Sequence, residues 1–326
     1  MLARWVSELF GTNYCHSLLA VTHASAWLFW IYALGLLRLW KLPFSLSAAA
    51  IAALLVYPSS FFIVVGYSEP LFMAALFGFF YWFAKARTTR HWVLAAGHGV
   101  LLTATRLAGV PVVFAPALAS GFAWPWLAVG AAGSLGAFGF FAFCSVKFGH
   151  WDLYMQTAKI GWNVYSDYSA IYQWRLYWPT SAMVSGVLKG DAFAFSKIAV
   201  PLTAAQFLLM AFFEGWNYRR LREKSRWRQR VAFYAGAWVM FHLNVCARLS
   251  LDMMGMIRYT LPTYGLLVLA AVHLAQDAWL LSGTEPGRLK PLSRFLLWAL
   301  FSAIFCALLL GQWVLASKFM RHEWSA

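Results

Sequence analysis

Charge is scarce in this chain, and acid scarcest of all. Only 11% of its 326 residues are Asp, Glu, Lys or Arg, and just 11 are acidic. A soluble domain carries about a quarter charged residues and is about half apolar. Here 62% of residues are hydrophobic and the mean hydropathy is +0.63. Those values exclude an ordinary water-soluble globule. Cysteine is also sparse: Cys15, Cys144, Cys246 and Cys306 are scattered without metal-type spacing and read as packing residues. No HExxH, CxxC, phosphate-loop or dinucleotide motif occurs. With few and dispersed carboxylates, no metal ligand set and no cofactor are expected. The opening "MLARWVSELFGTNYC" lacks the long uncharged run of a secretory signal.

Apolar length is what the chain has in abundance. Hydrophobic stretches lie at about 16–37, 43–65, 70–84, 92–119, 123–147, 195–215, 231–249, 258–279 and 292–316, several near the roughly 20 residues a spanning helix needs. They predict an all-α, polytopic transmembrane bundle forming one integral membrane domain over 1–326, with about nine or ten membrane helices. Residues 1–15 predict an amphipathic helix on the membrane surface, with Trp5, Leu9 and Phe10 at the boundary. Nineteen tryptophans suit aromatic belts at the two interfaces.

The net charge of +15 does not imply nucleic acid. Fifteen of the 26 basic residues fall in "RLWK" (38–41), "KARTTRH" (85–91), "NYRRLREKSRWRQR" (217–230) and "GRLKPLSR" (287–294), short connections of the kind that stay cytoplasmic. If the second and third are both cytoplasmic, the chain between them crosses an even number of times. Counting 92–119 once gives an odd number. That stretch is interrupted by "TRLAGVP", so it is read as a hairpin of two short helices meeting at Arg106, broken backbone being tolerated where it lines a cavity. The 66–70 turn, the Arg106 break, the aromatic loop 148–195 and the 249–257 turn then share the non-cytoplasmic face.

Several residues on that face carry chemistry. Glu69 precedes Pro70, where it can serve the start of the next helix or face a polar cavity. Tyr67 and Ser68 beside it can hydrogen-bond a ligand. Arg106 lies between two apolar stretches and needs an anion, either Glu69 or a phosphate. Arg258 and Tyr259 stand at a predicted helix start, with Pro262 one turn inside, and a cation there needs an anion such as Asp252 or a lipid phosphate. The loop 147–180 suits a lid or a platform for stacking on sugar rings, or an ordinary interfacial loop. It contains His150 and Asp152, a possible acid–base pair. His98, His242 and His273 read as satisfied core residues.

Three segments carry a family resemblance: "YPSSFFIVVGYSEPLFMAALFGFFYWFAKAR", "LLTATRLAGVPVVFAPAL" and "IRYTLPTYGLLVLA". Together they resemble the PIG-V-type mannosyltransferases of the GT-C superfamily. The resemblance implies a GT-C-like bundle that moves a sugar, mannose, from a polyprenyl-phosphate carrier to a glycan, lipid or protein acceptor outside the cytoplasm. On the positions that match, it makes Glu69 a catalytic candidate and Arg106, Arg258 and Tyr259 substrate and phosphate contacts; Asp152 is the second catalytic candidate, and Tyr67 and Ser68 further substrate contacts, on their own chemistry alone. Membrane lipids are the other expected partners. Localisation would be multi-pass, in the plasma membrane of a bacterium or the endoplasmic reticulum of a eukaryote. The family opens with a further helix and an external loop whose Trp–Asp motif carries the presumed acid. This chain starts at the counterpart of that loop's tail, and "HWDLY" at 150–154 holds its Trp–Asp pair. Enzyme activity therefore stands open beside two alternatives, a non-catalytic membrane partner and a lipid or sugar transporter. No internal repeat favours the transporter. Single cysteines at positions 68, 107 and 160 are expected to react with a membrane-impermeant thiol reagent from one and the same side. Labelling from opposite sides would break the topology.

Overall fold

The structure, a computed structural model, describes residues 2–221, 227–282 and 291–321. Among the described residues there is no strand; every regular element is a helix. In order they are α1 (Leu2–Phe10), α2 (Tyr14–Leu39), α3 (Phe44–Val56), α4 (Glu69–Lys85), α5 (Thr89–Thr105), α6 (Gly109–Val112), α7 (Ala115–Ala119), α8 (Trp124–Phe148), α9 (Leu153–Trp162), α10 (Ser181–Leu188), α11 (Ala192–Leu221), α12 (Trp227–Arg248), α13 (Met256–Tyr259), α14 (Leu261–Ser282) and α15 (Pro291–Met320), with 3₁₀ turns between some of them. The first residues form α1, which leaves Trp5, Leu9 and Phe10 exposed.

The chain is a helical membrane protein. Among the described residues three helices are long and apolar enough to cross a bilayer: α2, α8 and the Ala192–Trp216 part of α11. The sequence reading expected more, and two of its stretches divide in the structure. The stretch 43–65 is not one helix, because α3 stops at Val56 after 13 residues and a 3₁₀ turn follows at Ser60–Ile63. At 1.5 Å per residue α3 covers only about 20 Å. Nor does the 258–279 stretch start its helix at Arg258. The one-turn α13 ends at Tyr259 and α14 begins at Leu261, so Pro262 occupies the first turn, where a missing N–H costs nothing. The region 148–195 folds into α9, α10 and two 3₁₀ turns. Residues 222–226 and 283–290, which overlap two of the basic connections, lie outside the described residues.

The break at Arg106 is present. Arg106 is extended (φ −150°, ψ 134°) and caps α5. Helices α5 and α8 pack in parallel: Thr103 Oγ1 donates to the Gly133 carbonyl at 2.6 Å and accepts from Ala137 N–H at 3.2 Å, while Gly99 faces Gly133. Two parallel neighbours joined by residues 106–123 require that connection to run back along the bundle. It does so as α6 and α7, with Val113 against both Gly99 and Gly133. Small residues drive this seam, since apolar side chains gain little by leaving lipid for protein and close backbone approach supplies the contact. A second group, α2, α4 and α5, meets through Phe29 on Phe77 (ring centroids 4.7 Å) and Tyr32 on His98 (5.0 Å).

Helix α12 places the polar residues at two ends. Arg230 lies in its first turn and Arg248 ends it, about 27 Å apart at 1.5 Å per residue. At the Arg230 end, Trp40 Nε1 donates to Gln229 and Gln276 donates to the Trp40 carbonyl, joining the 38–41 connection to α12 and α14. At the other end the 57–69 turn, the Arg106 break and α13 come together.

A Cβ on Gly136 would run into the Val100 carbonyl and the Ala104 backbone, whereas Gly139 faces open space. Gly136→Val is expected to destabilise the fold by about 1–3 kcal/mol through overpacking, and Gly139→Val to leave it unchanged. The midpoint of thermal unfolding in detergent checks both.

Candidate functional site

Glu69 is the first residue of α4, and its side chain is fully buried. Pro70, at the start of the helix, sets the backbone there without sacrificing a hydrogen bond. The turn before it is tied to α13: Ser59 Oγ donates to the Ile257 carbonyl at 2.8 Å, and the Tyr57 and Thr260 hydroxyls share a hydrogen bond of 2.6 Å. Those two bonds hold Arg258 beside Glu69.

Two guanidiniums converge on this one carboxylate. Arg106 Nη2 donates to Glu69 Oε1, and Arg258 Nε stands 3.0 Å from the same oxygen. The Arg258 contact is an ion pair without hydrogen-bond alignment: Arg258 Nε and Glu69 Oε2 are both buried without a hydrogen-bond partner. Arg106 and Arg258 remain 15% and 14% exposed, so the cluster reaches the surface. Tyr67 and Ser68 are exposed at that opening. Ser68 Oγ is 3.5 Å from Arg106 Nη2, and the Tyr67 ring is 5.1 Å from the Arg258 guanidinium carbon.

A third guanidinium joins from α12. Arg248 donates to the Tyr259 hydroxyl, as Arg258 does at 2.8 Å, and its guanidinium lies 3.9 Å from the Tyr259 ring centre. Arg106 and Arg258 flank the same ring at 4.9 and 4.8 Å. Tyr259 is thus a flat, electron-rich face between three cations, which attracts each of them. Asn244 fixes it from α12 by donating to its carbonyl at 3.2 Å. The turn that carries Arg248 to Arg258 is tight, with Asp252 and Met253 both left-handed (φ 50° and 65°). Non-glycine residues occupy that region only at a cost of order 1–3 kcal/mol that the surroundings must offset. An ion pair between Asp252 and Lys197 of α11 is one such offset.

Six of the seven residues singled out in the sequence, Tyr67, Ser68, Glu69, Arg106, Arg258 and Tyr259, therefore meet at one end of the bundle. Asp152 does not join their contacts; its carboxylate accepts a hydrogen bond from Gln156 at 2.8 Å. Asp252, one possible counter-ion for Arg258, is instead paired with Lys197, and Glu69 takes its place. Tyr154, two residues after Asp152, lies within electrostatic reach of Arg248. The aromatic region is anchored to α12 by Asp167 N–H donating to the Cys246 carbonyl at 2.9 Å and by Tyr177 against Phe241 and His242.

Sequence reasoning missed Arg248. It closes an apolar stretch, where a cation reads as a residue stretching out to the interface. The available signal was arithmetic: Arg106, Arg248 and Arg258 end or begin neighbouring segments, and the acids beside them, Glu69 and Asp252, are fewer. It also missed a network at the opposite end, where Arg230 pairs with Glu214 (2.6 Å) and Asp277, and Tyr234 donates to Glu214. His98 and His242 bond their own helices through the Leu94 and Trp238 carbonyls, as core histidines do, but His273 contacts Arg230 at 3.1 Å.

Among the described residues no group of His, Cys, Asp and Glu is arranged to hold a metal ion. The cluster is cationic and suits an anion with several acceptor oxygens, which planar guanidiniums bind in pairs. No family model matches the chain, and neither a curated protein nor a solved structure matches it. Fold and site together define a helical membrane protein with a guanidinium cluster at one end of the bundle.

Removing the Glu69 charge leaves two confined cations facing each other. Glu69→Gln is expected to cost about 3–5 kcal/mol, the range for breaking one partner of a buried pair, against little for Ser68→Ala. Thermal unfolding midpoints of the two variants in detergent compare them.

Proposed function

We propose that this protein is a membrane glycosyltransferase of the GT-C type, moving mannose from a polyprenyl-phosphate carrier to a glycan, lipid or protein acceptor on the non-cytoplasmic face. The observation that carries the reading is the gathering of Arg106, Arg248 and Arg258 around the Tyr259 ring, beside one buried carboxylate, at the Arg248 end of α12. Preorganised cations in a poorly solvated site stabilise charge that develops on a departing phosphate, and they do so without reorganising. The motifs shared with PIG-V-type enzymes contribute the sugar and the carrier. In this reading the chain crosses the membrane about nine or ten times, with the 106–123 return included. Its host membrane is the plasma membrane of a bacterium or the endoplasmic reticulum of a eukaryote.

The residues divide the work by their contacts. Arg106, Arg248 and Arg258 take the phosphate oxygens, while Tyr67 and Ser68 border the opening where the sugar enters. Glu69 holds two of the arginines in place, so its role is positioning. In transfer, the bond between the anomeric carbon and the phosphate oxygen breaks as the acceptor oxygen bonds that carbon, and the acceptor's proton goes to a base. Asp152, two residues before the Tyr154 that neighbours Arg248, is the candidate. The exposed rings of Trp151 and Tyr154 offer faces on which an acceptor sugar can stack.

Sugar transfer from a synthetic polyprenyl-phosphate mannose by the purified chain in nanodiscs tests this directly. Arg106→Ala and Arg258→Ala are expected to lower kcat/KM by about a hundredfold or more, in line with loss of a preorganised charge contact. Glu69→Gln is expected to raise KM along with lowering kcat, whereas loss of a general base would lower kcat alone. Unchanged turnover in the arginine variants would remove the reading.

A further inference from the structure

The charges in the cluster do not balance. Arg106 and Arg258 share the single carboxylate of Glu69, and Arg248 makes no ion pair with a carboxylate among the described residues. Its hydrogen-bond partner is the Tyr259 hydroxyl, an uncharged group when protonated, and the neighbour across from it is Tyr154. Asp252, on the turn between Arg248 and Arg258, pairs with Lys197, and Asp167, before the 168–172 turn, accepts the Ser169 N–H. Three cations against one anion leave two positive charges in surplus. Around them pack Phe62, Phe72 and Tyr259, whose rings restrict water. Uncompensated charge in such surroundings is expensive.

We propose that the cluster selects a phosphate dianion, a phosphate with at most one ester bond, over the singly charged phosphodiester, and that Arg248 is the residue that sets this preference. This inference rests on reading the cluster as a phosphate site. A sugar-loaded carrier is a phosphodiester with one negative charge, and the carrier released after transfer is a monoester with two. A surplus of two charges therefore matches the departing phosphate better than the incoming one, and the match improves as the bond to the sugar breaks. Differential stabilisation of that kind accelerates the step, since it acts on the transition state more than on the bound substrate. Arg248 is suited to the part: it enters from α12 while Arg106 and Arg258 are already committed to Glu69, and its guanidinium is oriented by Tyr259.

The test compares three probes on the full chain in nanodiscs of neutral lipid: dodecyl phosphate, methyl dodecyl phosphate and inorganic phosphate. At pH 8 dodecyl phosphate is expected to bind at least about tenfold more tightly than its methyl diester, the effect of one additional close charge pair. The monoester probe's second proton titrates with a pKa of about 6. Binding of the monoester should thus strengthen as pH rises through about 6 and level off above, while diester binding stays flat. Arg248→Gln is expected to bring the two esters within about twofold, Arg248→Lys to keep most of the gap because it keeps the charge, and Tyr259→Phe to keep it as well. The inorganic phosphate arm identifies the source: weaker binding than dodecyl phosphate assigns the site to a lipid, and equal binding assigns it to free phosphate, both consistent with dianion selection. Equal affinity for the two esters, or a gap that survives in Arg248→Gln, overturns the proposal. If the preference holds while the chain transfers no sugar, the transferase reading alone fails; if transfer holds without the preference, this inference alone fails.

Discussion

A single carboxylate without access to water organises one whole end of this molecule. Glu69 is fully buried, and in an apolar bundle an ionised group there persists only with opposite charge against it. Arg106 and Arg258 supply that charge from two other chain segments, the end of α5 and α13. The requirement reaches outward from there. Arg106 has to leave its helix to reach Glu69, so α5 ends at Thr105. Arg258 has to stand opposite, and α13 is held by Ser59 and by the Tyr57–Thr260 hydroxyl pair to keep it there.

The opposite end of the bundle solves the same problem with the signs reversed in number. Arg230 meets two carboxylates, Glu214 and Asp277, where Glu69 meets two guanidiniums. The two ends of α12 thus carry the two main charge clusters, separated by about one hydrocarbon thickness. Between them the chain relies on close approach of small residues, above all along the seam where Thr103 bonds the backbone of α8. A hydroxyl that donates once and accepts once across two helices satisfies itself fully, which matters where lipid offers no partner.

The proposed chemistry follows from the asymmetry between the ends. At the Arg230 end the buried guanidinium is met by carboxylates of the protein itself among the described residues. At the Glu69 end cations are in excess, and Tyr67 and Ser68 leave it open to the surface. A cluster that is closed and compensated serves the fold. One that is open and undercompensated points to a ligand of the missing sign. The phosphate of a lipid carrier has the charge, the oxygens and the location to meet that demand.

Much of this was readable from the chain alone. Amino-acid scarcity of charge and the length of the apolar runs determined that the protein is helical and belongs in a membrane, because hydrocarbon admits backbone only with its hydrogen bonds satisfied internally. The interruption "TRLAGVP" determined that 92–119 could not be one helix, and the requirement that buried charges find partners brought Glu69 and Arg106 into one hypothesis. Helix ends were less legible. Val56, Tyr259 and Leu261 mark boundaries set by tertiary bonds to neighbouring segments, which hydropathy does not record. Only the tertiary structure decided that Asp152 stands apart from the cluster, that Asp252 pairs with Lys197, and that Arg248 joins Arg106 and Arg258 on the Tyr259 ring. Charge pairing in a bundle depends on which helix ends share a level and a face, and sequence order does not determine that.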